Sequence, residues 1–358
     1  MIWVMIMIHI ASTTKYRSRR PSVNNIRIIC VNHSAMVSDK DIHNILEAAY
    51  EKPTTFNNYI HRLERLRDTT VGVPSYTRLL SAPDASYEKI RAAYPNITTR
   101  KNMLTVLLTL FKNVEQLRTS LPDQHKRWKT FHDNMDSFQE AKYKKHMPDV
   151  GQLAKYTPFE DIEQKYRELS NGDPHQTLQD SLQFILLSIV VSTPPKRSDY
   201  GSMQVYYEND PNQSDTNYIV INGVRPSYMV FTKYKTSKEY KRVEQDLPAQ
   251  TTRDIKASLR RHPRDYLFVN RFRNPFASND GYSKFVVNTF SKLFGRNTGV
   301  TMLRHIFITE KLSFDEMDDD ELEGVAQQML HSTKLQKKYN WSKKAICSSL
   351  KKICPECK

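Results

Sequence analysis

Leu178, Leu182, Ile185, Leu186 and Ile189 recur at three- and four-residue steps, and Pro194-Pro195 close the run. An apolar helix of this kind has to be covered by other elements. The chain beyond it reads as strands: 217–221, 228–231 and 240–246, separated by the hairpin signal Asn222-Gly223 and the turn Lys235-Thr236-Ser237-Lys238. Helical patterns then return. QTTRDIKASLRR (250–261) is a basic helix, YLFVN (266–270) a short apolar strand, and KFVVNTFSKLF (284–294) a helix burying Phe285, Val286, Phe290 and Leu293. The order predicts an α+β class: a mainly helical domain with a small antiparallel sheet.

The half before it is helical throughout. Ser38 and Asp41 suggest a capped start, and Ile42, Ile45, Leu46 and Ala49 share one face. Phe56, Tyr59, Ile60 and Leu63 make a second face, and two further runs complete about four short helices by residue 120. Trp128, Phe131, Met135 and Phe138 fall at helical spacing in a charged stretch, as in a surface or linker helix. The expected organisation is an extension over 1–37, a helical domain over 38–150, a connector over 151–172, a second domain over 173–346, and a Cys/Lys-rich tail over 347–358.

Lys and Arg number 54 against 39 Asp and Glu, a formal net charge of +15 that favours polyanions. No glycine-rich phosphate loop is present, which argues against a nucleoside triphosphatase. MIWVMIMIHIA at the start is short for a spanning helix, so membrane insertion is not expected. Residues 12–35 are polar and basic and read as an extension or DNA-contacting arm. Cys347, Cys354 and Cys357 include a ligand-like C-x2-C pair, but a matching second pair is absent; Cys30 or a partner chain would have to complete a zinc site, and reduced thiols are the default reading. The acidic run 314–324 lacks Ca²⁺-loop spacing and suits the first turn of a helix.

The chemistry-bearing residues lie late in the chain. TMLRHIFIT (301–309) supplies Arg304, and QQMLHSTKLQKKYNW (327–341) supplies His331 and Tyr339. A guanidinium grips a phosphodiester bidentately, and a phenol can attack its phosphorus. With helix between them, His331 and Tyr339 would fall about two turns apart on one side. These two segments resemble the C-terminal half of the tyrosine recombinases, the phage-integrase-like enzymes that break and join DNA.

The resemblance extends upstream and is strongest over 174–341. Arg197, behind the buried helix and its turn, matches the first catalytic arginine, and Asp199 would orient it. Lys235, with Lys238 in reserve, matches the mobile hairpin lysine that protonates the leaving 5′-oxygen. Arg304 is the second arginine, His331 a hydrogen-bond donor or proton carrier, and Tyr339 the nucleophile. Thr301 stands where the family usually has histidine, so that base is missing or its role is shared with His331 or a water. His305 matches a second family histidine, either structural or contributing to catalysis. The helical half would be the DNA-clamping core-binding domain, with Lys52, Arg62, Arg65, Arg100 and Lys101 as phosphate contacts. The resemblance implies double-stranded DNA as partner, self-association on it as a dimer or tetramer, no cofactor, an intracellular location, and an origin in a large DNA virus or mobile element. A type IB-like topoisomerase and a catalytically impaired DNA-binding relative are the rival readings.

Overall fold

The computed structural model describes residues 37–211, 214–276, 278–343 and 346. Cys30, Cys347, Cys354 and Cys357, and the extension over 1–36, lie outside them. The chain divides into two compact units between Met135 and Asp136.

The first unit is all helical: α1 (Asp39–Ala49), α2 (Pro53–Glu64), α3 (Tyr76–Ser81), α4 (Pro83–Ala93), α5 (Ile97–Asn113), α6 (Glu115–Ser120) and the start of α7 (Pro122–Lys144). Ser38 caps α1 by accepting from the Asp41 N–H, and Asn96 caps α5 through the Thr99 N–H. A π-helical turn, Arg65–Val71, extends α2 and stops at Gly72, whose φ of 70° suits glycine. The α5 helix is the hub, burying Met103, Leu104, Val106, Leu107, Leu110 and Phe111. Trp128 on α7 is fully buried and donates its indole N–H to the Leu80 carbonyl.

The second unit begins with the rest of α7, then α8 (Val150–Leu153), α9 (Phe159–Ser170) and α10 (Leu178–Ser192). Residues 151–172 are therefore not an open connector: Phe159 and Ile162 of α9 enter the core against α10. The α10 helix is buried from Ser181 to Val190 on every side, which is why its sequence is apolar beyond one stripe.

The sheet has four strands in the order β1 (Gln204–Tyr207), β2 (Tyr218–Ile221), β3 (Tyr228–Phe231) and β4 (Val243–Asp246). Expected as antiparallel, it is mixed: β1 runs parallel to β2 and the other two pairings are antiparallel. The β1 strand escapes sequence reading because its half-buried, Tyr-containing residues show no alternation. All four residues of β2 are buried, Ile219 and Ile221 in the main core and Tyr218 and Val220 in a smaller cluster on the other face. Asn222-Gly223 does not make a two-residue turn; the β2–β3 loop runs to Ser227, and Asn222 holds it through the Pro226 carbonyl and the Ser227 hydroxyl. A helical turn, α11 (Ser237–Tyr240), replaces the expected start of β4. YLFVN contributes only a bridge between Tyr266 and Gln204. Four helices complete the core: α12 (Ala249–Arg261), α13 (Asn279–Phe294), α14 (Val300–Lys311) and α15 (Asp319–Gln328), with the short α16 (Thr333–Tyr339) closing the described fold. The acidic run caps α15: Asp318 and Glu321 form a reciprocal capping box.

Candidate active site

Arg304 sits in mid-α14 and is completely buried. Its Nη1 donates to the Met329 carbonyl at 3.0 Å, and its Nη2 donates to Nδ1 of His331. An arginine has no acceptor, so Nδ1 must be the bare ring nitrogen and the proton sits on Nε2. That Nε2–H is buried and has no partner, and neither does Nε of Arg304. The Tyr339 ring lies beneath this pair, 5.2 Å from the guanidinium carbon and stacked on His331 at 5.8 Å between centroids. The structure thus brings Arg304, His331 and Tyr339 to one place.

Arg197 joins them through the backbone. Its Nη1 donates to the Leu330 carbonyl at 3.2 Å, and Thr236 donates its hydroxyl to the same oxygen at 3.1 Å. The turn 329–331 is therefore the common anchor of both arginines and of the β3–β4 hairpin. It is a tight turn: Leu330 has φ 56°, a left-handed conformation unusual for a branched residue, and its side chain is fully buried. Lys235 and Lys238 are both exposed beside Thr236. Asp199 meets Arg197 at its main-chain N–H, 3.1 Å away, rather than at the guanidinium.

Electrostatics reflect the crowding. Burial lowers the pKa of Arg304 to about 10, the Tyr339 phenol opposes that shift, and the like charge of Arg197 adds to it. Burial, then Arg304 and Arg197, push His331 down to about 3, so it is a neutral donor at ordinary pH. Burial likewise takes His305 to about 4; its Nδ1–H donates to the Tyr339 carbonyl at 2.8 Å and its ring stacks on Trp341 at 4.0 Å, so its contacts are packing ones. Thr301 is exposed on the first turn of α14, one turn ahead of Arg304. Asp199 is the carboxylate whose charge bears on both guanidiniums, and burial raises its own pKa; two guanidiniums against that one carboxyl group leave a setting that favours an anion.

Sequence reading missed three contributors. Lys196 is fully buried, with its Nζ donating to Gln245 of β4 and lying 5.0 Å from the Phe231 ring of β3; burial lowers its pKa to about 7 against the opposing charge of Asp199. It fastens the turn carrying Arg197 to the sheet, and its only sequence signal was its place beside Arg197. Gln336 on α16 is buried with both amide atoms unpartnered, one turn before Tyr339. The carbonyls of Met329 and Leu330 have no side-chain signal at all.

The proposed phosphate contacts of the first unit divide. Lys52 and Arg65 are exposed, Arg65 over the Tyr94 ring at 5.7 Å, and Arg62 and Lys101 are half-buried. Arg100 is only 9% exposed, a buried cation rather than a displayed one. Among the described residues no three His, Cys, Asp or Glu side chains are grouped to hold a metal ion, and no helix is long and apolar enough to cross a membrane.

No family model matches the chain, and no curated protein matches it. Solved structures do. The XerA recombinase is 12% identical, covering 88% of this chain and 98% of its own, at a TM-score of 0.38. A lambda integrase fragment (75-356), crystallised as a dimer bound to a COC′ core site, is 13% identical over 85% of this chain and 94% of its own, at a TM-score of 0.51. A helical unit followed by a mostly helical domain with a small mixed sheet is the arrangement the two chains share, and the chain has the tyrosine recombinase fold.

Proposed function

We propose that this protein is a site-specific DNA recombinase that cuts and rejoins duplex DNA through a 3′-phosphotyrosyl intermediate. The observation that carries the reading is the pair of unpartnered, buried donors, Arg304 Nε and His331 Nε2, beside the phenol of Tyr339. Buried polar groups without partners are costly and cluster where a ligand completes them. A phosphodiester supplies both the acceptors these donors need and the charge that balances the two arginines.

In the proposed reaction the Tyr339 oxygen bonds to phosphorus while the bond to the 5′-oxygen breaks. The phenolic proton leaves to solvent, and the 5′-oxygen takes a proton from Lys235. Arg197, Arg304 and the Nε2–H of His331 hold the non-bridging oxygens as charge develops. With Nδ1 engaged by Arg304 and a pKa near 3, His331 serves as donor and not as base. Rejoining reverses each step. Integration, excision and resolution all use this chemistry, and the protomers would pair on DNA.

The test is a pool of nicked duplexes with randomised sequence around the nick. Wild type is expected to form a denaturant-stable protein–DNA adduct, and Tyr339→Phe to bind the same pool without forming it. An adduct surviving in Tyr339→Phe refutes the assignment. One observation favours a catalytically impaired DNA-binding relative: the base position is Thr301, exposed and unable to accept a proton near neutral pH. Binding without an adduct in wild type would select that reading.

A further inference from the structure

The segment after Tyr339 leaves the helix extended, with Asn340 at φ −70° and ψ 126°. Alternate residues then face opposite ways. On one side are the residues of the site: the Tyr339 ring beneath Arg304, the Tyr339 carbonyl bonded to His305, and Trp341 stacked on His305 with its N–H donated to Thr309 at 3.0 Å. On the other side are residues at and just beyond the end of the long helix α7. Lys338 places its ammonium 5.4 Å from the centre of the Tyr143 ring. The Asn340 carbonyl accepts from Nδ1 of His146 at 2.9 Å. The Ser342 N–H donates to the His146 carbonyl at 2.9 Å. One residue thus holds the chain at two points, one and three residues beyond the phenol.

His146 is itself held in an unusual shape. Its φ is 45°, in the left-handed region that few residues other than glycine adopt, with histidine among the tolerated ones. That conformation turns both its carbonyl and its ring toward residues 340–342. Because the partner is a carbonyl, Nδ1 carries the proton.

We propose that His146 is a positioning residue for the nucleophile: it clasps residues 340–342 from the side opposite the catalytic groups and holds Tyr339 in register with Arg304 and His331 of the same chain. The inference rests on the reading of Tyr339 as nucleophile. Its physical basis is the shortness of α16, seven residues, which gives the phenol little rigidity of its own. A displacement of about 1 Å at a reacting group costs about a hundredfold in rate, so loss of the clasp is expected to slow the covalent step without weakening DNA binding.

Two substitutions separate the clasp from backbone shape. His146→Gly keeps the left-handed turn and removes the ring donor. His146→Asn tolerates the same turn and retains a side-chain N–H. Hydrogen exchange of residues 339–343 in the free full-length protein, adduct formation at saturating nicked-duplex pool, and affinity for that pool are measured for each. Expected for His146→Gly are faster exchange confined to 339–343, an adduct rate lowered about tenfold or more, and unchanged affinity; His146→Asn restores exchange and rate. A wild-type adduct rate in His146→Gly, equal loss in both variants, or exchange rising throughout the second unit overturns the clasp. Absence of any adduct from wild type is a different failure: it removes the nucleophile reading, and the positioning role with it.

Discussion

Acid should destabilise this fold through His331 and His305. An unfolded histidine titrates near 6.5, whereas burial and neighbouring guanidiniums hold His331 at about 3 and His305 at about 4. Both folded values are depressed for a base, so the unfolded chain binds protons first as pH falls. The stability these groups contribute is whole above about pH 6.5 and is lost progressively below it, down to the folded values. Each such proton gives a slope approaching roughly 1.4 kcal/mol per pH unit, so going from pH 7 to 5 removes ~2 kcal/mol for each ring and ~4 kcal/mol for the two. Domains have only about 5–15 kcal/mol to lose. Urea unfolding at half-unit steps from pH 7 to 4.5 measures the slope directly. His331→Gln shifts the whole curve for other reasons, but its slope below pH 6 should be shallower by roughly 1.4 kcal/mol per unit. Identical slopes in His331→Gln and wild type would show that the imidazole is already protonated in the folded site. The hydrogen bond from Arg304 to Nδ1 would then be misassigned.

Arg197→Ala and Arg304→Ala should each lower adduct formation by about 10²–10³-fold, the usual loss for one transition-state donor; Arg304→Lys should recover only part, because lysine lacks the fork that reaches Met329 and His331 together. Near-normal rates in either alanine variant would remove that arginine from the site. Lys235→Ala should slow cleavage of ordinary DNA and leave a 5′-bridging phosphorothiolate almost unaffected, since a thiolate leaves without a proton. Rescue by sulfur of Lys238→Ala and not of Lys235→Ala would transfer the acid to Lys238. Leu330→Ala should cost about 2–5 kcal/mol through lost burial, whereas Leu330→Gly should be no worse despite one carbon fewer, because glycine relieves the positive φ. A Gly variant clearly less stable than Ala in urea unfolding would mean the turn is not strained.

Why some of this was legible in the sequence and some was not comes down to which atoms make the contacts. The α10 helix was readable because burial on all sides demands apolar residues, and Pro194-Pro195 can only end it. Ser38 announced its cap through a hydroxyl that has one good use. Arg197, Arg304, His331 and Tyr339 could be picked out because their residue types, order and spacing resemble a known family's, and the fold gathers them around the turn at Leu330. The sheet was half legible: β2 and β3 coincide with the apolar runs, but β1 pairs parallel to β2 by main-chain bonds that any residue could make, so Gln204–Tyr207 carried no signal. The assembly of the site belongs to that second class. Arg197, Arg304 and Thr236 are gathered by the carbonyls of Met329 and Leu330, and Tyr339 is flanked by bonds to its own carbonyl and that of Asn340. A carbonyl is present at every position, so its use cannot be read from residue type. What selects these carbonyls is geometry, above all the left-handed turn at Leu330, which sequence disfavours rather than predicts. The choice of side chain is thus constrained by chemistry, while the backbone that aims it is constrained only by the completed fold. Substitutions at Met329 and Leu330 should therefore impair the site without touching any residue that the chemistry itself would single out.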